Sequence, residues 1–317
     1  MKSVNVGIVG LGNVGMGTIA VLTGNAGQIR EKLGFDLNIQ AVCSPSVASK
    51  QFPEALNGVF KTSDWREVVR HPGVDIVVEL VGGTGVAREI LGAAIEQGKS
   101  IVTANKELMA LAGAELWDQA IAARINLAME ASVAGGIPIH AVLREGISGD
   151  RITTLYGILN GTSNFILTEI EKRGAGFNDV LAEAQRLGFA EADPSADVEV
   201  TMRARNWPSC QHWRSENELS VRHLYRRYRR IAPTDFEYAH RLSHTIRLLC
   251  AAKQTPDGLI LSVRPALIPS STILASVQAR ITLSGFVDNG EDTFYYGRGA
   301  TRIPLSSGYQ RLDAGRS

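Results

Sequence analysis

Short apolar runs rich in Val and Ile alternate with amphipathic stretches along the first 130 or so residues. The runs fall at 4–9, 37–42, 74–80, 100–103 and 126–129. Stretches at 86–97 and 107–123 carry the helical period, and Gly98 sits where a helix would stop. Strands alternating with helices predict a parallel, doubly wound sheet, an α/β Rossmann-type domain over 1–130. A ligand of such a sheet lies beyond the carboxyl ends of its strands. That places Gly82, Gly83 and the string Thr103-Ala104-Asn105-Lys106 at the crevice.

The pattern changes near residue 130. A small-residue loop, Glu130-Ala131-Ser132-Val133-Ala134-Gly135-Gly136-Ile137-Pro138, is followed by a predicted helix over 139–146 and a strand over 152–159. The polar string Asn160-Gly161-Thr162-Ser163-Asn164 reads as a turn, with helices expected over 164–172 and 178–187. This predicts a second, mixed α/β domain over 131–294.

The first strand runs straight into Gly10, Leu11, Gly12, Asn13, Val14 and Gly15, a G-x-G-x-x-G turn ahead of a helix-length segment. Gly10 suits the tight turn, Gly12 lets a pyrophosphate approach the backbone, and Gly15 lets helix and strand pack closely. The helix start offers N–H groups and a positive dipole end to phosphate. The end of the second strand, Ala41-Val42-Cys43-Ser44-Pro45, carries no carboxylate to grip a ribose 2′-hydroxyl, and Lys50 lies a little downstream. This favours NADP over NAD while leaving NAD compatible.

Bulk properties narrow the classes. The chain of 317 residues has a formal net charge of +1, which gives no global field for nucleic acid or an anionic membrane. Three widely spaced cysteines, Cys43, Cys210 and Cys250, suit reduced thiols better than a disulfide framework or a zinc site. No signal peptide is expected ahead of the first strand and no bilayer-crossing run is read, so a cytoplasmic protein is expected.

Several strings together resemble homoserine dehydrogenase. They are the 10–15 turn, Val102-Thr103-Ala104-Asn105-Lys106-Glu107, the 130–138 loop, Gly157-Ile158-Leu159-Asn160-Gly161-Thr162-Ser163-Asn164, and Gly188-Phe189-Ala190-Glu191-Ala192-Asp193-Pro194-Ser195-Ala196-Asp197. The likeness resumes at Phe236-Glu237-Tyr238-Ala239-His240-Arg241 and at Asp292-Thr293-Phe294-Tyr295-Tyr296-Gly297-Arg298-Gly299-Ala300. It covers about 1–199, 231–278 and 290–300.

The resemblance implies NAD(P)H-dependent interconversion of aspartate semialdehyde and homoserine, with a small-molecule substrate. It also implies a catalytic and dimerisation role for the second domain in a homodimer, and a segment from about 295 to 317 that packs back on the first domain. It places Lys106 at the junction of cofactor and substrate, though a solvated helix-start lysine reads the same way. It makes Glu191 a substrate-binding carboxylate and Asp197 an acid of the same loop. It also implies a sodium ion wrapped by the backbone carbonyls of Glu130, Val133, Gly135 and Ile137, which equally read as an unliganded small-residue loop. Longer relatives append a regulatory domain; this chain stops soon after Tyr295-Tyr296-Gly297, so that domain is expected to be absent or cut off by a shifted frame.

One stretch departs from the family pattern. Where the pattern has glycine, a substrate-binding aspartate and a catalytic lysine, this chain has Val200, Met202 and Asn206. From 200 to 230 there are eight arginines and no lysine, and Trp207 and Trp213 fall there too. A basic insert that binds something acidic is one explanation; a shifted reading frame is another. A single G restored ahead of the Val200 codon makes a glycine codon. The next codons then permit tyrosine and aspartate, and Met202 before Arg203 yields alanine when the arginine codon is CGN. Asn206 permits lysine, Trp207 forces leucine, Pro208 permits alanine, Ser209 isoleucine and Cys210 leucine, and Trp213 forces leucine again. The recovered string restores the signature, with aspartate and lysine four apart on one helix face. Out-of-frame sequence from 200 to about 225 is therefore expected, and 280–289 and 301–317 look similarly disturbed. Other readings are a dehydrogenase of another small aldehyde or ketone and a non-catalytic dinucleotide-binding protein.

Overall fold

The computed structural model describes residues 3–134, 136–146, 152–187, 221–277, 281–287 and 292–298. It divides into two compact units, Met1–Gly135 and Gly136–Ala300.

In the first unit, strands β1 (Ser3–Val9), β2 (Asp36–Cys43), β3 (Phe60–Thr62), β4 (Ile76–Glu79), β5 (Ser100–Thr103) and β6 (Leu127–Ala128) form one sheet in the order β3-β2-β1-β4-β5-β6. Every neighbouring pair is parallel. The chain winds outward from β1 first one way and then the other, so the order reverses between β1 and β4, where such sheets take their ligands. Helices α1 (Asn13–Gly24), α2 (Ala26–Leu33), α3 (Trp65–Arg70), α4 (Gly85–Glu96) and α5 (Lys106–Ala122) make the connections.

Two apolar clusters explain why these segments fold as they do. One gathers Val9, Val77 and Ile101 of the sheet with Ile90 and Leu91 of α4 and Leu108 and Leu116 of α5. The other joins Val6, Ile8 and Val42 to Leu11, Ile19 of α1 and Leu56. Strand residues thus feed both clusters, as burial on both sheet faces requires. The two short elements β3 and α3 are not marked by the hydrophobic pattern. Asp64 caps α3 by accepting from the Arg66 N–H at 3.0 Å.

The second unit holds a mixed sheet, β12-β11-β7-β9-β10-β8. Its strands are β7 (Thr154–Ile158), β8 (Val221–Tyr225), β9 (His244–Thr255), β10 (Gly258–Pro269), β11 (Ile281–Val287) and β12 (Asp292–Arg298). The pairs are antiparallel except β10 with β8. Around it lie α6 (Ile139–Ala141), continued by a wider turn over Val142–Gly146, then α7 (Gly161–Arg173), α8 (Phe177–Arg186) and α9 (Pro233–Arg241).

One sequence expectation changes here. The polar string from Asn160 is the capped first turn of α7 and not a separate turn. Asn160 Oδ1 accepts from the Ser163 N–H at 2.7 Å and from its hydroxyl at 2.8 Å, and Thr162, Ser163 and Asn164 are buried. Part of the arginine-rich stretch is also built into the sheet: Val221–Tyr225 forms the edge strand β8. Just after it, Tyr228 is fully buried, its ring edge-on to Phe177 at 5.7 Å. Residues 295–298 lie in β12, within the second unit.

Candidate active site

β1 delivers the chain to Gly10, whose φ of +103° is left-handed. Its N–H donates to the Cys43 carbonyl at 2.9 Å, tying the turn to the end of β2. A Cβ at Gly10 would lie 2.5 Å from the carbonyl carbon and oxygen of Leu80, so only glycine fits. At Gly15 a Cβ would lie 1.9 Å from the Gly10 carbonyl oxygen, so here helix and turn are in backbone contact. At Gly12 a Cβ would meet nothing within 4 Å. The middle glycine is thus not required by the protein's own packing; the space beside it is open.

Gly12 is also the N-cap of α1. No side chain caps that helix and its first turn holds no acid. Its leading N–H groups and the positive end of its dipole therefore remain available to an anion. Open space, available donors and the absence of a competing carboxylate fit the pyrophosphate of a dinucleotide. Leu11 contributes differently from its neighbours: its side chain is buried in the core, while Asn13 is exposed and Val14 half-buried.

At the ends of β4 and β5 a second loop is held by a carboxylate that the sequence reading missed. Glu79, the last residue of β4, is 0% exposed. Its Oε1 accepts from the Val81 N–H at 2.8 Å and the Gly82 N–H at 3.3 Å, and its Oε2 accepts from the Thr103 hydroxyl at 2.7 Å. Thr103 Oγ1 in turn accepts from the Asn105 N–H at 3.0 Å. Asn105 caps α5 through the Leu108 N–H at 3.0 Å, and its amide donates to the Gly83 carbonyl at 2.7 Å. The loop thus braced contains two successive left-handed residues, Gly82 (φ +80°) and Gly83 (φ +68°).

Lys106 follows Asn105 as the first residue of α5 and is exposed. A cation at a helix N-terminus faces the positive end of the dipole, which costs roughly 0.3–1 kcal/mol. Helix stability does not explain a lysine there. The structure therefore brings the glycine turn, Gly83 and Lys106 to the carboxyl edge of one sheet.

At the end of β2, Ser44 N–H donates to the Thr62 carbonyl at 3.2 Å, and Ser44 Oγ accepts from the Ser46 N–H at 3.3 Å. The string after the strand is serine and proline with half-buried Lys50, and no acid stands in it. Burial, with Asp64 and Glu67 nearby, pushes the Cys43 thiol up to about 11, which disfavours its thiolate.

Glu130 opens a single turn, Glu130–Ser132, whose Ser132 hydroxyl donates to the Met129 carbonyl at 2.6 Å. The Val133 N–H donates to the Glu130 carbonyl at 3.4 Å, and Ala134 is left-handed at φ +52°. The Ile137 carbonyl accepts from the Ile139 N–H at 2.8 Å. Gly135, Glu191, Asp197, Met202 and Asn206 lie outside the described residues. Among the described residues no cluster of His, Cys, Asp or Glu is arranged to hold a metal. No helix among them is long and apolar enough to cross a membrane.

Comparison with known proteins agrees with this geometry. Residues 10–130 match the family model "Homoserine dehydrogenase, NAD binding domain", and residues 138–310 match the model "Homoserine dehydrogenase". The homoserine dehydrogenase of Neisseria gonorrhoeae is 40% identical over 309 residues, covering 97% of this chain and 71% of the relative. That of Pseudomonas aeruginosa is 40% identical over 312 residues, covering 97% and 70%. Among solved structures, a homoserine dehydrogenase from Thiobacillus denitrificans superposes with a TM-score of 0.87 at 38% identity, covering 97% of this chain and 71% of the other. With both units matched by family models and the doubly wound sheet shared with a solved relative, the chain belongs to the homoserine dehydrogenase family.

Proposed function

We propose that this protein interconverts L-aspartate 4-semialdehyde and L-homoserine with NADP(H), NAD(H) serving less well. The observation that carries the reading is the union, at one sheet edge, of an open glycine turn, a braced Gly82-Gly83 loop and a lysine that helix stability does not explain. The first unit is the dinucleotide-binding domain and the second the substrate domain. Gly10, Gly12 and Gly15 with the backbone of Leu11, Asn13 and Val14 hold the pyrophosphate, and Gly83 meets the nicotinamide half. When bound, the cofactor supplies a hydride to the aldehyde carbon.

The chain's residues do the rest. Lys106 holds positive charge beside the carbonyl oxygen, where negative charge develops as the aldehyde is reduced. Glu191 and Asp197 bind the substrate ammonium, which orients the reacting carbon. The carbonyls of Glu130, Val133, Gly135 and Ile137 suit a sodium ion, which would order the loop that follows β6. Preference for the 2′-phosphate rests on the serines and Lys50 after β2, where an acid would repel it. The working protein is a cytoplasmic homodimer, a point that sedimentation of the purified chain decides.

Met202 and Asn206 stand where the family pattern has aspartate and lysine, so the chain as written catalyses weakly. Restoring the reading frame over 200–225, with aspartate at 202 and lysine at 206, recovers semialdehyde-dependent oxidation of NADPH. Nucleotide sequence that yields no such frame removes this explanation. Uptake of NADPH without turnover by the restored chain would favour a non-catalytic dinucleotide-binding protein instead.

A further inference from the structure

We infer that Glu79 is a positioning residue for the cofactor, acting through the loop that joins β4 to α4. This rests on the reading above that the dinucleotide lies on the glycine turn and Gly83. Glu79 touches neither reactant; its work is to set the backbone that does.

Among the described residues no cation pairs with this carboxylate. Burying such a group is costly unless its oxygens are satisfied, and here they are satisfied entirely by donors. Two are backbone N–H groups of Val81 and Gly82, and the third is the Thr103 hydroxyl. Buried carboxylates are rare in strands of this kind, and a core role would be served by another Val. What the carboxylate does that Val cannot is turn two successive N–H groups back towards the end of β4. That fixes the entry into the left-handed pair Gly82-Gly83.

The same anchor reaches the other two parts of the site. Gly10 is packed directly on the Leu80 peptide, and the Leu80 N–H donates to the Val9 carbonyl at 2.7 Å, so a shift at 80–82 moves the first glycine of the turn. On the other side Thr103 relays the anchor to Asn105, whose amide holds the Gly83 carbonyl and whose carbonyl oxygen caps the helix that begins with Lys106. One buried side chain therefore links the glycine turn, the Gly83 loop and the start of α5.

The test is fluorescence titration of NADPH into the full-length parent chain and into E79Q, T103V and T103S, each also followed by thermal unfolding. Gln is nearly isosteric with Glu but uncharged, and its NH2 must replace one oxygen. At Oε1 it would face the Val81 and Gly82 N–H groups, and at Oε2 it would turn the Thr103 hydroxyl from donor to acceptor. E79Q is expected to bind NADPH about tenfold more weakly, as expected for one lost charge-assisted contact. T103V is expected to weaken binding similarly, and T103S, which keeps the hydroxyl, to bind within about twofold of the parent. In the frame-restored enzyme, E79Q should raise KM for NADPH with kcat at saturating cofactor largely kept. A purely structural carboxylate would lower the unfolding temperature and leave the folded fraction's affinity unchanged. Folded E79Q or T103V with parental affinity overturns the inference. If E79Q does not fold, the T103V and T103S pair decides. A parent chain that does not take up NADPH at all refutes the dinucleotide reading itself, a distinguishable outcome.

Discussion

The two glycines that follow Gly10 make opposite predictions. Gly15→Ala forces a Cβ to within 1.9 Å of the Gly10 carbonyl oxygen, a backbone atom that cannot swing aside. We expect a loss of about 2–4 kcal/mol in stability together with lost binding, seen in denaturant unfolding. Gly12→Ala meets open space, so stability should change by less than about 1 kcal/mol. NADPH affinity should nonetheless fall at least tenfold, about 1.4 kcal/mol, because the methyl occupies the space intended for phosphate. Equal behaviour of the two variants would contradict the assignment of Gly12. Lys106→Met should cost roughly 10²–10³ in kcat of the frame-restored enzyme. Its unfolding free energy should hold or rise by about 0.5 kcal/mol, because a cation leaves the positive end of α5. The glycine spacing made this half of the site legible. Glu79 was not legible, because a carboxylate closing an apolar run takes its meaning from Thr103, a residue 24 positions on that only the parallel sheet brings beside it.

The elements of the second unit are held by a polar cluster whose acid sensitivity has a definite sign. Glu171 of α7 accepts from Thr245 at 2.6 Å and Arg247 at 2.8 Å on β9, and pairs with His240 of α9 at 2.8 Å. Arg247 also donates to the Ala275 carbonyl at 3.1 Å. Burial pushes the Glu171 carboxyl up, but the bonds from Thr245, His240 and Arg247 and the Arg247 charge outweigh it, so the net shift is downward. A depressed carboxylate contributes stability above its ordinary value of 4.5 and loses it as the pH falls through the folded value. His140 acts earlier: burial, then the nearby Arg144, lowers its imidazole from 6.5 to about 4. It is neutral in the fold and protonates more readily when unfolded, so stability falls as the pH drops from 6.5 towards 4. We expect unfolding temperature to decline across that range, His140→Leu to flatten the decline, and Glu171→Gln to cost about 3 kcal/mol at neutral pH by leaving buried Arg247 short of its counter-ion. A profile unchanged by His140→Leu would contradict this. Long periodic segments such as α4 and α5 were legible in the sequence. The start of α7 was not, because a string of Asn, Gly, Thr and Ser is equally the composition of a turn and of a capped first helical turn. The brief β3 and α3 carried too few residues to show a period.

At the scale of the molecule, alternating runs were enough to specify a doubly wound sheet, since each short parallel strand must be buried on both faces. The second unit was legible only as mixed α/β. Its sheet pairs β7 with β9 across nearly a hundred residues, and no local pattern encodes such a pairing. Glu191 and Asp197 rest on their motif alone. The central claim is that a dinucleotide on the amino-terminal glycines and an aldehyde beside Lys106 meet in one oxidoreductase. The most direct measurement is the initial rate of NADPH consumption with aspartate semialdehyde, comparing the frame-restored chain, the chain as written, and the restored chain with Lys106→Met. Robust semialdehyde-dependent turnover in the first, with rates at least about a hundredfold lower in the other two, is the predicted result. A restored chain that binds NADPH yet leaves the semialdehyde unreduced would contradict it.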